Sequence, residues 1–149
     1  MNDDLSSLFA EQQTNQIDWD GPLYSLYELP SEASALTIRF LSAKTQPPQG
    51  LRLKVRGGAF EVESTAADDL ILWQDTAPEE VPVRITWKPK GTRSLRVWNA
   101  WRVNDVTQAW LGNAGMRVTA GEDGVFQLRC SDGEGDPNFG DLVAEVHVR

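Results

Sequence analysis

The chain has 149 residues, enough for one domain with a buried core, and 40% of them are hydrophobic, which argues against disorder. Its net charge of −8 repels phosphate backbones, so we expect no nucleic-acid partner. No run of about 18 apolar residues is present, so we expect no membrane partner either. The opening MNDDLSSLFAEQQ lacks a basic region and a long apolar region, so it does not resemble a signal peptide. This predicts a cytoplasmic protein, with leaderless export as the alternative.

The first 35 residues form an acidic segment that contains no Lys or Arg. Leu5, Leu8 and Phe9 follow Asp3 and Asp4 at helical spacing, and aspartate is a good helix N-cap. The pattern predicts one short helix in this otherwise irregular segment. We assign residues 1–35 to an N-terminal segment and residues 36–149 to a β-domain.

The middle of the chain alternates apolar and polar residues with a period of two, which indicates β-strands. A glycine pair at Gly57 predicts a two-residue hairpin turn there. Counting back from this turn sets Val55 opposite Phe60 and Lys54 opposite Glu61. In this register apolar side chains face each other on one side of the hairpin, and a lysine faces a glutamate on the other side. Both pairings favour this register.

A second hairpin is predicted near the C-terminal end, around the loop Glu122-Asp123-Gly124. Its register pairs Ala120 with Phe126, Val118 with Leu128 and Met116 with Cys130. Together the patterns predict about eight or nine short strands. We therefore expect an all-β protein, an antiparallel β-sandwich of jelly-roll or Greek-key style, with a closed barrel as the alternative.

The chain has few of the residues that common catalytic sites require. His147 is the single histidine and Cys130 the single cysteine, so a Ser-His-Asp triad or a zinc site of Cys and His ligands has no support. Cys130 is predicted to be a buried apolar residue. A pair of carboxylates of the glycoside hydrolase kind remains as an alternative, because the chain has 22 acidic residues. The expectation is a protein that is not an enzyme.

Six tryptophans are a high number for a chain of this length, and one of them is a candidate for ligand binding. Alternation places Trp98 on the outward row with Arg96 and Arg102, where an exposed indole can stack on a sugar or anchor a protein. Trp110, in the loop QAWLGNAGM, is the fourth candidate. The alternatives are that the arginines cover the Trp98 ring, or that a bulge turns it inward. Trp73, Trp87 and Trp101 are assigned to the core.

The register of the second hairpin also places Arg117 opposite Arg129. Like charges at directly opposite positions destabilise a sheet unless something neutralises them. We expect an acidic side chain of this chain between the two arginines, with an anionic ligand as the alternative.

The stretch CSDGEGDPNFGDLVAEV carries oxygen-bearing side chains at short intervals, the ligands that calcium prefers. The candidate ligands are Asp132, Glu134, Asp136, Asn138 and Asp141. Residues 136–143 resemble the D-x-D-[FY]-[ND]-D-L-V motif found at the end of β-domains in bacterial surface and secreted proteins, where it is linked to calcium. Asn138 and Gly140 depart from that motif. The resemblance implies a structural calcium ion, and the alternative is a turn-rich approach to the last strand with no cofactor.

These patterns predict a non-catalytic binding module that engages a protein or a glycan. Arg96, Trp98, Arg102 and Trp110, or the loops at one end of the sandwich, would form its binding surface. The second hypothesis is a small acidic protein of the immunity or accessory type that binds a partner protein. The third is a carboxylate-based glycoside hydrolase.

Overall fold

The computed structural model describes residues 4–149, which form two antiparallel β-sheets in a sandwich-like arrangement and one short helix, α1 (Leu5–Gln12). The strands, in chain order, are β1 Gln16–Asp18, β2 Pro22–Tyr24, β3 Tyr27–Leu29, β4 Ala35–Ala43, β5 Gln49–Arg56, β6 Gly58–Val62, β7 Thr65–Ala67, β8 Asp69–Trp73, β9 Glu80–Trp87, β10 Ser94–Val103, β11 Val106–Gln108, β12 Gly115–Ala120, β13 Val125–Ser131 and β14 Leu142–Val148.

The larger sheet has the order β1-β2-β12-β13-β14-β4-β9-β6-β7. The smaller sheet has the order β11-β10-β5-β8, and β3 also pairs with β10. The predicted all-β sandwich is confirmed, but the predicted strand number is too low. The additional strands β1, β2, β3, β7 and β11 span three residues each, which is too short for a period of two to be recognised.

The predicted N-terminal helix is confirmed. The carboxylate of Asp4 accepts a hydrogen bond from the Ser7 amide at 2.9 Å, and hydrogen bonds from the Ser7 hydroxyl and amide lower the pKa of Asp4. Asp3 lies outside the described residues. Leu5 and Phe9 are buried against Ile17 of β1 and Leu23 of β2, so the helix is held by packing onto the edge of the larger sheet.

The predicted hairpin around Gly57 is wrong, because the chain changes sheets at this residue. β5 pairs with β10 and β8 in the smaller sheet, whereas β6 pairs with β9 and β7 in the larger sheet. Val55 therefore faces Leu95, and Phe60 faces Ile85. Both segments are strands, as their alternation predicts, but alternation does not specify the partner strand.

The second hairpin has the predicted register, in which Ala120 pairs with Phe126 and Met116 with Cys130. Arg117 and Arg129 are opposite each other, as predicted. The prediction of an acidic side chain between these two arginines is wrong. The Arg117 guanidinium instead donates to the main-chain carbonyls of Trp19, Gly21 and Pro22, and it lies over the rings of Trp19 and Phe139. These contacts fasten the β1–β2 turn to β12.

The main core lies between the two sheets. Leu51, Leu53 and Val55 of β5 meet side chains of the larger sheet such as Phe60 and Leu128, all of them 2% exposed or less. Cys130 is fully buried in this core, as predicted, and burial raises the pKa of its thiol far above the usual range. The removal of this much apolar surface from water is the main force that holds the two sheets together.

We expect Gly57→Ala to destabilise the protein by more than Gly91→Ala. Both glycines have left-handed backbone, with φ of 80° and 108°, so alanine is strained at either position. Only at Gly57 would the added Cβ collide with a main-chain carbonyl, that of Thr92, whereas nothing lies within 4 Å at Gly91. Urea unfolding of both variants measures the difference. Equal losses of stability would contradict the close approach at the crossover between sheets.

Candidate functional site

Trp98 is not the exposed residue that alternation predicts. Its side chain is 5% exposed, and Val97, which points to the opposite face, is fully buried, so both faces of β10 are covered at this point. The Trp110 ring lies over Trp98, with 4.9 Å between ring centroids, and the guanidinium of Arg52 lies 5.8 Å from the Trp98 centroid. No bulge interrupts the pairing of β10 with β5 here. Trp98 therefore lies on the outward row, as predicted, but Trp110 and Arg52 cover it there.

Trp110 is the exposed aromatic residue of this region, with 47% of its surface accessible. Its backbone is left-handed, with φ of 59°, which is a strained conformation for a bulky side chain. The indole Nε1 donates to the carbonyl of Ser25 at 2.9 Å. Stacking on Trp98 and this hydrogen bond hold the ring in place. Strained residues of this kind are enriched at functional sites.

The loop that carries Trp110 is clamped to the N-terminal helix. The Leu5 amide donates to Oδ1 of Asn113 at 3.2 Å, and the Ser6 amide donates to the carbonyl of Gly112 at 2.9 Å. These are two of the helix amides that have no partner inside the helix. The loop therefore completes the cap of α1, and the two segments form one surface.

A cleft of about 450 Å³ lies between α1 and this loop. That volume falls within the range of small-molecule sites. The cleft has an apolar part and a polar part, lined by Phe9, Ala10, Leu26, Trp110 and Ala114 and by Ser6, Thr14, Asn15, Ser25 and Arg96. We take this cleft as the candidate functional site.

The structure brings together three of the four predicted ligand-binding residues. Arg96 and Trp110 line the cleft, and the ring of Trp98 packs against the ring of Trp110. Arg102 is not among the lining residues. Its guanidinium stacks on Trp73 at 4.5 Å from the ring centroid and pairs with Asp75 at 2.7 Å.

Among the residues that the structure describes, Arg96 is the one charged side chain that lines the cleft. Its Nε lies 3.1 Å from a carboxylate oxygen of Glu28, and both side chains are largely exposed to solvent. An exposed pair of this kind contributes little to stability, about 0–1 kcal/mol. The guanidinium keeps further N–H donors that can serve a ligand.

Sequence reasoning missed most of the cleft. Thr14, Asn15, Ser25 and Leu26 all belong to the N-terminal segment, where the sequence shows no regular pattern. They meet Arg96 only because β3 pairs with β10, which joins positions nearly 70 residues apart in the sequence. No local signal in the sequence marks these residues as part of a site.

The five predicted calcium ligands do not converge. Residues 132–141 form a loop of bends and turns between β13 and β14. Asp132 and Asp141 are buried at its base, whereas Glu134, Asp136 and Asn138 are exposed. Within residues 4–149 no group of three or more His, Cys, Asp or Glu side chains is placed to hold a metal ion. A calcium site in this loop stays a prediction.

The cation at the base of this loop is a lysine ammonium. Nζ of Lys44 lies 2.7 Å from an oxygen of Asp132 and 3.6 Å from an oxygen of Asp141. Asp132 also accepts from Nε2 of Gln49 at 2.8 Å and from the Glu134 amide at 2.9 Å.

Burial raises the pKa of Asp141, and the nearby Asp132 charge adds to that shift. For Lys44, burial alone would lower the pKa, but its contacts with Asp132 and Asp141 leave it raised. Lys44 thus fixes the two ends of the loop, which no pattern in the sequence indicates.

Comparison of the chain with protein-family models, with curated proteins and with solved structures finds no match in any of the three. Within the described residues, no helix has both the length and the apolar character needed to cross a membrane.

We expect Trp98→Ala to lower the free energy of unfolding by about 3–5 kcal/mol, the usual cost of truncating a large buried aromatic residue. The matched control is Val106→Ala on β11, where the side chain is 56% exposed. That variant should stay within about 0.5 kcal/mol of the original protein. Urea unfolding measures both, and a small effect at Trp98 would contradict its burial.

We expect Lys44→Met to destabilise the protein by about 3–5 kcal/mol, because it leaves the Asp132 carboxylate buried without its cation. Lys90→Met is the control, since Lys90 is an exposed lysine outside this cluster. Its effect should be within about 0.5 kcal/mol. Urea unfolding at neutral pH gives both values. Equal effects would show that the ammonium is not needed at the base of the loop.

Proposed function

We propose that this protein is a non-catalytic binding module that takes a glycan in the cleft between α1 and the Trp110 loop. The observation that carries this proposal is the exposed ring of Trp110, a residue with left-handed backbone, at the wall of a cleft with polar side chains around it. A sugar ring presents apolar C–H faces and hydroxyl edges. The Trp110 ring suits the face, and Asn15, Thr14 and Arg96 suit the hydroxyl groups.

The composition of the cleft supports binding over catalysis. Within residues 4–149 its lining includes no carboxylate, whereas a glycoside hydrolase needs a pair of Asp or Glu beside the bond that breaks. Glu28 lies nearby but pairs with Arg96. Oriented donors next to an aromatic platform are enough for recognition.

The second candidate is the binding of a partner protein by a small acidic protein of the immunity or accessory type. The observation in its favour is that Leu111, the neighbour of Trp110, is also an exposed apolar residue, at 52%. A tryptophan, an arginine and an adjacent leucine resemble the hot spots of protein interfaces. The net charge of −8 would favour a basic partner.

A glycan array followed by calorimetry tests the first candidate. We expect Trp110→Ala and Arg96→Gln each to weaken binding about tenfold or more, a loss of about 1.4 kcal/mol. The controls are Val106→Ala and Arg129→Gln, which change exposed side chains outside the cleft lining. Urea unfolding of each variant separates lost binding from lost folding. Arg96→Gln leaves the ring stack of Trp98 and Trp110 in place, so it reports on the cleft alone.

Glycan binding that survives both cleft variants would contradict the location of the site. No binding across a broad array, together with capture of a basic protein that Trp110→Ala abolishes, would favour the second candidate.

A further inference from the structure

A second cleft, of about 360 Å³, adjoins the candidate functional site. Three residues line both clefts, namely Thr14, Asn15 and Leu26, so the two clefts lie next to each other on the surface. The remaining lining residues of the second cleft come from β1, β2 and β3 and are Gln16, Tyr24, Tyr27 and Glu28. Its volume also falls within the range of small-molecule sites.

The ion pair of Arg96 and Glu28 lies where the two clefts meet. The antiparallel pairing of β3 with β10 sets Glu28 directly opposite Arg96. Arg96 lines the candidate site, Glu28 lines the second cleft, and Nε of the arginine is 3.1 Å from Oε1 of the glutamate. Sheet pairing therefore fixes the two clefts side by side. A ligand that occupies both would find N–H donors and a carboxylate acceptor at the junction.

The second cleft combines aromatic and polar groups, as the first does. Tyr24 and Tyr27 are half-buried, and their rings form a T-shaped pair with centroids 5.0 Å apart. The Tyr27 ring also lies 5.8 Å from the ring of Phe126, so the fold holds it in place. The amide side chains of Asn15 and Gln16 are exposed beside these rings. Fixed aromatic rings with amide and hydroxyl groups around them suit a sugar.

The charges of the two linings cancel. In the part of the chain that the structure describes, Arg96 is the one charged lining residue of the first cleft and Glu28 that of the second. Burial raises the pKa of the Tyr27 phenol, which therefore stays uncharged at neutral pH. Arg96 alone would favour an anionic ligand, but Glu28 neutralises it. The net charge of −8 disfavours an acidic ligand further.

We propose that the ligand is a neutral oligosaccharide that spans both clefts, with at least one sugar ring in each. This proposal rests on the glycan binding proposed above and adds the charge and the minimum length of the glycan. A single sugar ring occupies one cleft and leaves the other without a ligand. A chain of linked sugars makes its second set of contacts within the same molecule, so its affinity exceeds that of one ring.

Titration calorimetry tests the length. The probes are the strongest neutral ligand of the glycan array and its shorter fragments, down to the shortest that still binds. We expect the full chain to bind at least tenfold more tightly than that fragment. Tyr27→Ala and Gln16→Ala should each reduce this gain and leave the fragment, held by the Trp110 cleft, nearly unaffected. Urea unfolding checks the Tyr27 variant, and Gln16 is an exposed residue whose truncation spares the core.

Glu28→Gln tests the charge. Glutamine keeps the side-chain length and an oxygen acceptor but leaves Arg96 without its counter-charge. We expect the original protein to bind the neutral chain more tightly than the same chain with a uronic acid unit, and Glu28→Gln to reduce this preference at least threefold. The matched control is Glu79→Gln, since Glu79 is an exposed acid that pairs with Arg39 outside both clefts. It should leave the preference unchanged.

The possible failures are distinguishable. Equal affinity for all chain lengths, or full chain binding that neither Tyr27→Ala nor Gln16→Ala weakens, would overturn the role of the second cleft and leave glycan binding in the first. Tighter binding of acidic chains by the original protein would overturn the neutral ligand. No binding of any glycan would contradict the proposed function itself, and this proposal with it.

Discussion

The burial of β10 on both faces is the constraint on which the rest of the structure depends. Its inner row, with Leu95 and Val97 at 0% exposure, packs into the sandwich core. Its outer row includes Trp98, a large apolar surface that a sheet open to water on one side would leave exposed. The Trp110 ring and the Arg52 guanidinium cover it. Burial of Trp98 thus determines where the Trp110 loop must lie, and the N-terminal helix is in turn hydrogen-bonded to that loop.

The candidate site is a consequence of this covering. Two separate segments, α1 and the Trp110 loop, meet above β10 and are joined through the free amides of the helix N-terminus. They do not close completely, and the remaining cleft is bordered by the outer ring of the stacked tryptophan pair. Trp110 is held by stacking on Trp98 and by its hydrogen bond to Ser25. Such a platform loses little conformational entropy when a ligand binds, which favours recognition.

Several arginines contact an aromatic ring and a hydrogen-bond acceptor at the same time. Arg52, Arg102 and Arg117 each lie against an aromatic ring, and each also reaches a carboxylate or main-chain carbonyls. A guanidinium can do both because it is planar and carries N–H donors around its rim. These arginines neutralise acids beside the smaller sheet and hold the N-terminal turn in place. Arg96 differs, because it lines a cleft and pairs with an exposed glutamate.

The sequence by itself determined the fold class, the short helix, most of the longer strands and the register of the hairpin around Glu122–Gly124. These features rest on local patterns, namely alternation, a capping residue and turn chemistry. Tertiary structure alone decided which sheet β6 joins, that Trp98 is covered and that Lys44 lies between Asp132 and Asp141. Each of these depends on contacts between segments far apart in the chain, where alternation states which residues share a face but not what lies against that face. The same reason explains why Trp110 and Arg96 could be chosen from the sequence, whereas the cleft that joins them could not.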